Sequence, residues 1–100
     1  MQAAMDNVRK YNPNCEFILV SSLVPNPKGA AYGIQGEYAD AIDNMVANNN
    51  SAVSVDMYHV HEYFLNVCGK NYADMSSNYI NHPNDFLIRL YTQNIISALW

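Results

Sequence analysis

Long apolar runs and positive charge are both scarce in this sequence. The longest unbroken apolar run is Phe17-Ile-Leu-Val20, whereas a membrane-spanning helix needs about 20 residues. Five of the 100 residues are Lys or Arg and nine are Asp or Glu, which gives a formal net charge of −4. This balance removes the electrostatic basis for binding nucleic acid or an anionic membrane. We therefore expect no membrane span and neither of those partners.

Cysteine is scarce as well. Cys15 and Cys68 form one disulfide or none, so they do not fix the redox compartment. They also lack the spacing of zinc ligands. His59 and His61 point to different sides of a predicted helix and cannot share an ion. We predict no metal site and no cofactor. The sequence does not begin with a signal-peptide pattern. The cellular compartment is therefore not determined, and secretion as part of a longer protein is one option.

The residues that are present describe a folded α/β domain. Hydrophobic residues make up 50% and charged residues 14%, the reverse of a disordered chain. Strands without polar alternation are typical of a parallel sheet buried on both faces. We predict one domain with two short parallel strands and about four helices, resembling the second half of a doubly wound fold. The predicted segments are helices at 2–11, 34–47, 57–68 and 84–99 and strands at 16–22 and 52–56.

The most distinctive string runs from Asp74 to Phe86 and contains Asn81-His82-Pro83-Asn84. A His directly before a helix start lies at the positive end of the helix dipole, which disfavours a protonated ring. A neutral imidazole can accept a proton as a general base. The alternative interpretation is an ordinary helix start with no catalytic role.

This string resembles the last sequence block of the SGNH hydrolases, also called GDSL-type esterases, in which a His precedes the C-terminal helix. Residues 12–22 and 52–56 resemble the fourth and fifth strands of that family. The resemblance implies the C-terminal part of a flavodoxin-like three-layer fold, with residues 1–100 as one partial domain. It also implies a carbohydrate or lipid ester substrate, often acetylated, and His82 as the general base.

The family's other blocks are missing. No Gly-Asp-Ser triplet is present, and the one Gly-x-Asn, Gly69-Lys-Asn71, lies after the second strand. We therefore expect this chain to supply the base without the nucleophile or oxyanion hole, and to be inactive alone. Tyr79 occupies the position of the usual triad acid. Asp74 is the candidate for that role, a backbone carbonyl is the alternative, and Asp85 fits the helix start better.

Two further interpretations stay open. Asp56-Met-Tyr-His59 has the Asp-x-x-His spacing at a strand end, although helix capping by Asp56 is the simpler explanation. Ser21 and Ser22 lack a nucleophile motif and are predicted to be structural. The chain is alternatively a non-catalytic binding module that reuses the half-fold. In either case the open sheet edge favours association of identical chains.

Overall fold

A computed structural model describes residues 1–99. The chain forms four α-helices, two β-strands and one short 3₁₀ helix at Tyr72–Asp74. In chain order these are α1 (Gln2–Tyr11), β1 (Phe17–Val20), α2 (Gln35–Ala47), β2 (Ala52–Val55), α3 (Met57–Asn66) and α4 (Asp85–Ala98). The predicted order of elements and the mixed α/β class are confirmed. The bounds of α1 agree with the prediction, and the other helices and strands are one to three residues shorter than predicted.

The two strands pair in parallel, as their apolar composition predicted. Phe17 is aligned with Ala52, and Val20 with Val55. The connection between them contains α2, because parallel neighbours need a crossover. Both carboxyl ends therefore lie at the same edge of the sheet, and the chain after each strand begins there.

The core lies on both faces of this small sheet. On one face, Val55 packs with Met57, Met75 and Leu87, and the partly buried apolar residues of α3 and α4 surround them. On the other face, Leu19 packs with Met5 of α1 and Ile42 of α2. The neighbouring β1 residues Leu19 and Val20 thus pack against apolar clusters on opposite faces of the sheet. This arrangement explains why apolar and polar residues do not alternate along β1.

The helical spacing of apolar residues predicts one buried stripe on α2, formed by Ile34, Tyr38, Ala41, Ile42, Met45 and Val46. The buried face agrees with this stripe only in part. Ile34 lies at the N-cap and is exposed, and Tyr38 is 61% exposed. Ile42 is buried as predicted, with Met45 and Val46 packed beside it, and the helix also buries Ala39, which lies outside the stripe. The reason is close packing against α3: a Cβ placed on Gly36 would lie 3.1 Å from the Tyr58 ring. Small residues on this face let the two helices approach.

The helix start predicted from the sequence is confirmed for α3, whereas the predicted start of α4 is shifted along the chain. Asp56 caps α3, as predicted, by accepting a hydrogen bond from the His59 N–H at 3.0 Å. The sequence predicts Pro83 in the first turn of the last helix, and this prediction is wrong, because the N-cap of α4 is Asn84. The Asn84 side chain accepts from the Leu87 N–H at 3.2 Å. Pro83 precedes the cap and pairs with Ser76 in an isolated antiparallel bridge.

Two further findings concern the described residues. The longest helix there, α4, has 14 residues, and no helix is long and apolar enough to cross a membrane. Cys15 and Cys68 are free thiols, the first partly buried and the second exposed.

Candidate functional site

His82 lies in the loop that leads into α4, and its side chain is exposed. Its backbone carbonyl accepts hydrogen bonds from the Ser77 N–H at 3.0 Å and the Ser76 Oγ at 2.9 Å. These bonds close the loop into a compact turn. From its place just before a helix start, we expect a partly solvent-accessible His82 ring, and the structure confirms this exposure.

Asn78 organises this turn. Its side-chain oxygen accepts three backbone N–H bonds, from Ile80 at 2.9 Å and from Asn81 and His82 at 3.0 Å each. Three donors on one atom fix which end of the amide is the oxygen. The Asn78 Nδ2 group must therefore face the opposite way, toward Asn81 and the His82 ring.

Two amides meet the Nδ1 atom of His82. The Asn81 Oδ1 atom lies at 2.6 Å and the Asn78 Nδ2 atom at 2.9 Å. One nitrogen cannot both donate to the first and accept from the second, and the shorter contact is to the oxygen. We assign the proton to Nδ1, donating to Asn81, which leaves the Nε2 lone pair as the accepting site. An amide oxygen thus occupies the place a triad carboxylate would take.

The structure does not bring the Asp74 carboxylate to this ring. Asp74 ends the 3₁₀ helix, and its Oδ2 atom accepts from the Asn71 N–H at 3.1 Å in a reciprocal capping box. Its backbone carbonyl accepts from the Asn84 side chain at 2.7 Å. The described contacts of Asp74 are structural, and its catalytic role stays a prediction.

The pair with Asp-x-x-His spacing does form a contact. The Nδ1 atom of His59 lies 2.6 Å from the Asp56 Oδ2 atom, and its Nε2 atom lies 3.9 Å from Asp40. The hydrogen bond that the His59 ring donates to Asp56 raises the pKa of His59, partial burial opposes this increase, and the charges of Asp56, Glu62 and Asp40 add to it. Capping and side-chain pairing therefore coexist on Asp56.

Ser21 is placed next to this pair but is not available for attack. It is buried, and its Oγ atom accepts from the Tyr58 N–H at 3.0 Å. The same atom lies 3.4 Å from the Asp56 Oδ1 atom. These contacts tie the end of β1 to the start of α3, so the predicted structural role of Ser21 is confirmed.

His61 is the buried group that the sequence pattern did not single out. Its Nδ1 atom accepts from the Val24 N–H at 3.0 Å, and its ring stacks on Tyr72 with the centroids 5.6 Å apart. The Nε2 atom has no hydrogen-bond partner among the described residues. Burial lowers the pKa of His61 to about 4. The spacing of His59 and His61 argued against a shared metal ion, but no pattern in the sequence predicted that His61 is buried.

No group of three or more His, Cys, Asp or Glu side chains in residues 1–99 is arranged to hold a metal ion. No protein-family model, curated protein or solved structure matches this chain. Function is therefore inferred from its own residues and their geometry.

Proposed function

We propose that this chain is the C-terminal part of an SGNH-type ester hydrolase that acts on a carbohydrate or lipid ester, with acetyl esters as the first class to test. On this proposal its two parallel strands, with helices on both faces, are the last strands of a flavodoxin-like three-layer fold. The Asn-His-Pro-Asn string and the order of elements support the assignment.

The observation that carries the proposal is the position of the His82 ring. The ring is exposed before α4, and its Nδ1 atom is engaged by the Asn81 oxygen at 2.6 Å. With the proton on Nδ1, the outward Nε2 atom can take the proton of a serine hydroxyl and later return it to the leaving alcohol. The Asn81 oxygen fixes the ring tautomer during both steps, and Asn78 holds Asn81 in place.

The nucleophile and the oxyanion hole are not identified in this chain. The sequence contains no Gly-Asp-Ser triplet, and Ser21 is buried against Asp56. We therefore expect the chain alone to hydrolyse p-nitrophenyl acetate no faster than free imidazole at the same concentration. Hydrolysis well above that rate and abolished in His82→Ala would contradict the expectation of an inactive chain.

A sharper test extends the chain with the coding sequence that precedes Met1 in its gene. We expect that sequence to supply a Gly-Asp-Ser block and the longer protein to hydrolyse acetyl esters. His82→Ala should then lower kcat/KM by about 10²–10⁴-fold, the usual contribution of a general base. His59→Ala is the matched control, because it also removes an exposed imidazole, and it should leave kcat/KM within a few-fold. Loss of activity in His59→Ala with retention in His82→Ala would refute the assignment.

A second candidate function is a non-catalytic interaction module. It is favoured by Ile18 and Val53, which lie opposite each other on the two strands and are 37% and 42% exposed. Apolar strand residues at the surface of a two-stranded sheet are typical of an interaction surface. If the longer protein has no esterase activity while this surface binds a second chain, the second candidate is preferred.

A further inference from the structure

A cavity of about 410 Å³ lies beside the loop that carries His82. Its walls come from the loop after β1, the end of α3 and the segment after α3, and they include Asn26, Lys28, Lys70, Tyr72 and Tyr79. The volume lies within the range of small-molecule sites. Asn26 and Tyr72 are buried and form its base, whereas both lysines and Tyr79 are exposed at its rim.

The charge of this cavity opposes that of the protein. The chain has only five basic residues, yet Lys28 and Lys70 both line the cavity, and no carboxylate lines it. Within residues 1–99 neither lysine forms a salt bridge. The Lys70 Nζ atom lies 4.9 Å from the centre of the Phe86 ring, a cation–π contact with a residue outside the cavity lining, so Lys70 exchanges this contact for one with a ligand in the cavity. The cavity thus offers two cations that a carboxylate or another anion can neutralise.

The aromatic part of the cavity is held in an unusual conformation. Tyr79 has a positive φ of 60°, which is rare for a bulky residue. Its backbone is fixed by the Asn26 Nδ2 group, which donates to its carbonyl at 3.0 Å, and by the Ser76 Oγ atom, which accepts its N–H at 2.9 Å. The ring packs edge-on against Tyr72, 5.9 Å between centroids, and stays 56% exposed. Strained backbone conformations that surrounding hydrogen bonds maintain occur mostly at functional sites, including ligand-binding sites.

The base of the cavity is rigid. Asn26 donates its backbone N–H to the Ile80 carbonyl at 2.8 Å, and its side-chain oxygen accepts from the Lys28 N–H at 3.0 Å. The Tyr72 hydroxyl donates to the same Ile80 carbonyl at 3.1 Å. These bonds join the loop after β1 to the segment after α3 and link the backbones of Lys28 and Tyr79 through Asn26.

We propose that this cavity binds a sugar carboxylate, namely a hexuronic acid residue. Lys28 and Lys70 bind the carboxylate, and the exposed Tyr79 ring packs against the apolar face of the sugar. A bare phosphate would use the two cations but neither the aromatic ring nor most of the volume. The binding step needs no nucleophile, so it goes beyond the proposed hydrolase function and does not depend on it.

The test is a titration of the ¹⁵N-labelled chain followed by amide chemical shifts, with sodium glucuronate, glucose and inorganic phosphate as separate probes. We expect glucuronate to shift the amides of Lys28, Lys70 and Tyr79 and to saturate. Glucose and phosphate should bind at least several-fold more weakly. Lys28→Gln and Lys70→Gln should each raise the Kd of glucuronate by about 3-fold or more. Lys10→Gln, a matched change of an exposed lysine on α1, should leave the Kd unchanged.

Several results would overturn the proposal. Equal binding of glucose and glucuronate would remove the role of the lysines. Binding of phosphate as tight as that of glucuronate would assign the cavity to simple anions. Glucuronate shifts confined to other parts of the chain, or an equal loss of affinity in Lys10→Gln, would show that the cavity is not the site. None of these outcomes depends on whether the longer protein hydrolyses esters.

Discussion

At the scale of single residues, His61 is the most unusual group in the molecule. It is fully buried, with Nδ1 paired to the Val24 N–H and Nε2 unpaired among the described residues. Because Nδ1 accepts a hydrogen bond, the proton of the neutral ring lies on Nε2. Protonation of Nδ1 would place a donor against the Val24 N–H and a charge in the core, so folding keeps this ring neutral.

We predict that His61 makes the chain sensitive to mild acid. Burial lowers the pKa of His61 to about 4, from 6.5 for an exposed ring. The unfolded chain therefore takes up a proton as the pH falls through 6.5, while the folded chain does not until about pH 4. The stabilisation is complete above pH 6.5, is lost progressively between pH 6.5 and 4, and amounts to about 3 kcal/mol. Urea unfolding across this range measures it.

His61→Gln is the matched control for this prediction. A glutamine oxygen can accept the Val24 N–H, but the side chain does not titrate. We expect the free energy of unfolding of the variant to change less between pH 6.5 and 5, by up to about 1.4 kcal/mol per pH unit. A variant with the same pH dependence as the original chain would exclude His61 as the cause.

At the scale of secondary-structure elements, the start of α3 depends on Asp56. One carboxylate oxygen caps the helix through the His59 N–H, and the other contacts the His59 ring. The first interaction concerns stability, and the second concerns the protonation of His59. Substitutions at this position can separate them.

We predict that Asp56→Ala lowers the free energy of unfolding by about 1 kcal/mol, the usual cost of losing a side-chain cap. Asp56→Asn should keep most of that stability, since asparagine is also a good N-cap residue. Both variants should lower the pKa of His59, because the hydrogen bond from its ring to the Asp56 carboxylate is the largest cause of its increase. Urea unfolding and NMR titration of the His59 ring are the measurements. Unchanged His59 titration in both variants would contradict the pairing.

At the scale of the whole molecule, the sheet is unusually small for an α/β fold. Two strands have two outer edges, and in β1 and β2 the N–H and C=O groups that point away from the partner strand lie at those edges. Beside them, Ile18, Val53 and Leu99 line a second cavity of about 450 Å³ at the amino ends of the strands. The surface at the amino ends of the two strands therefore carries both free backbone groups and exposed apolar side chains, and we call it the open face.

We predict that the chain associates with a second copy through the open face. Sedimentation equilibrium at micromolar concentration should give a mass above the 11.3 kDa of one chain. Val53→Lys should raise the dissociation constant about tenfold or more, because covering one such side chain contributes about 1.5–3 kcal/mol. Val8→Lys, at an exposed apolar position on α1, is the control and should have little effect. A monomer with a cooperative unfolding transition would show that the two-stranded sheet is stable without a partner.

Local sequence patterns predicted the helix ends, because these ends depend on a few neighbouring residues. Proline after Asn12, the three asparagines after α2 and the cap at Asp56 place helix ends to within two residues. The position of His82 before α4 followed from the same kind of signal. The buried face of α2 followed only in part: Ile42 is buried as its spacing predicts, whereas Tyr38 is exposed because close packing against Tyr58 favours Gly36 and Ala39 on that face.

The sequence by itself determined the order of elements, the parallel pairing and the exposed His82, because apolar runs, caps and helix breakers act over a few neighbouring residues. Only the tertiary structure decided which side chains meet. In the structure the Asp74 carboxylate accepts from the Asn71 N–H, the Asn81 oxygen contacts the His82 ring, and His61 is buried with its Nδ1 atom on the Val24 N–H. The tertiary structure also brought Lys28 and Lys70 to one cavity. These contacts depend on how loops that are distant in sequence pack together, and no local pattern encodes that packing.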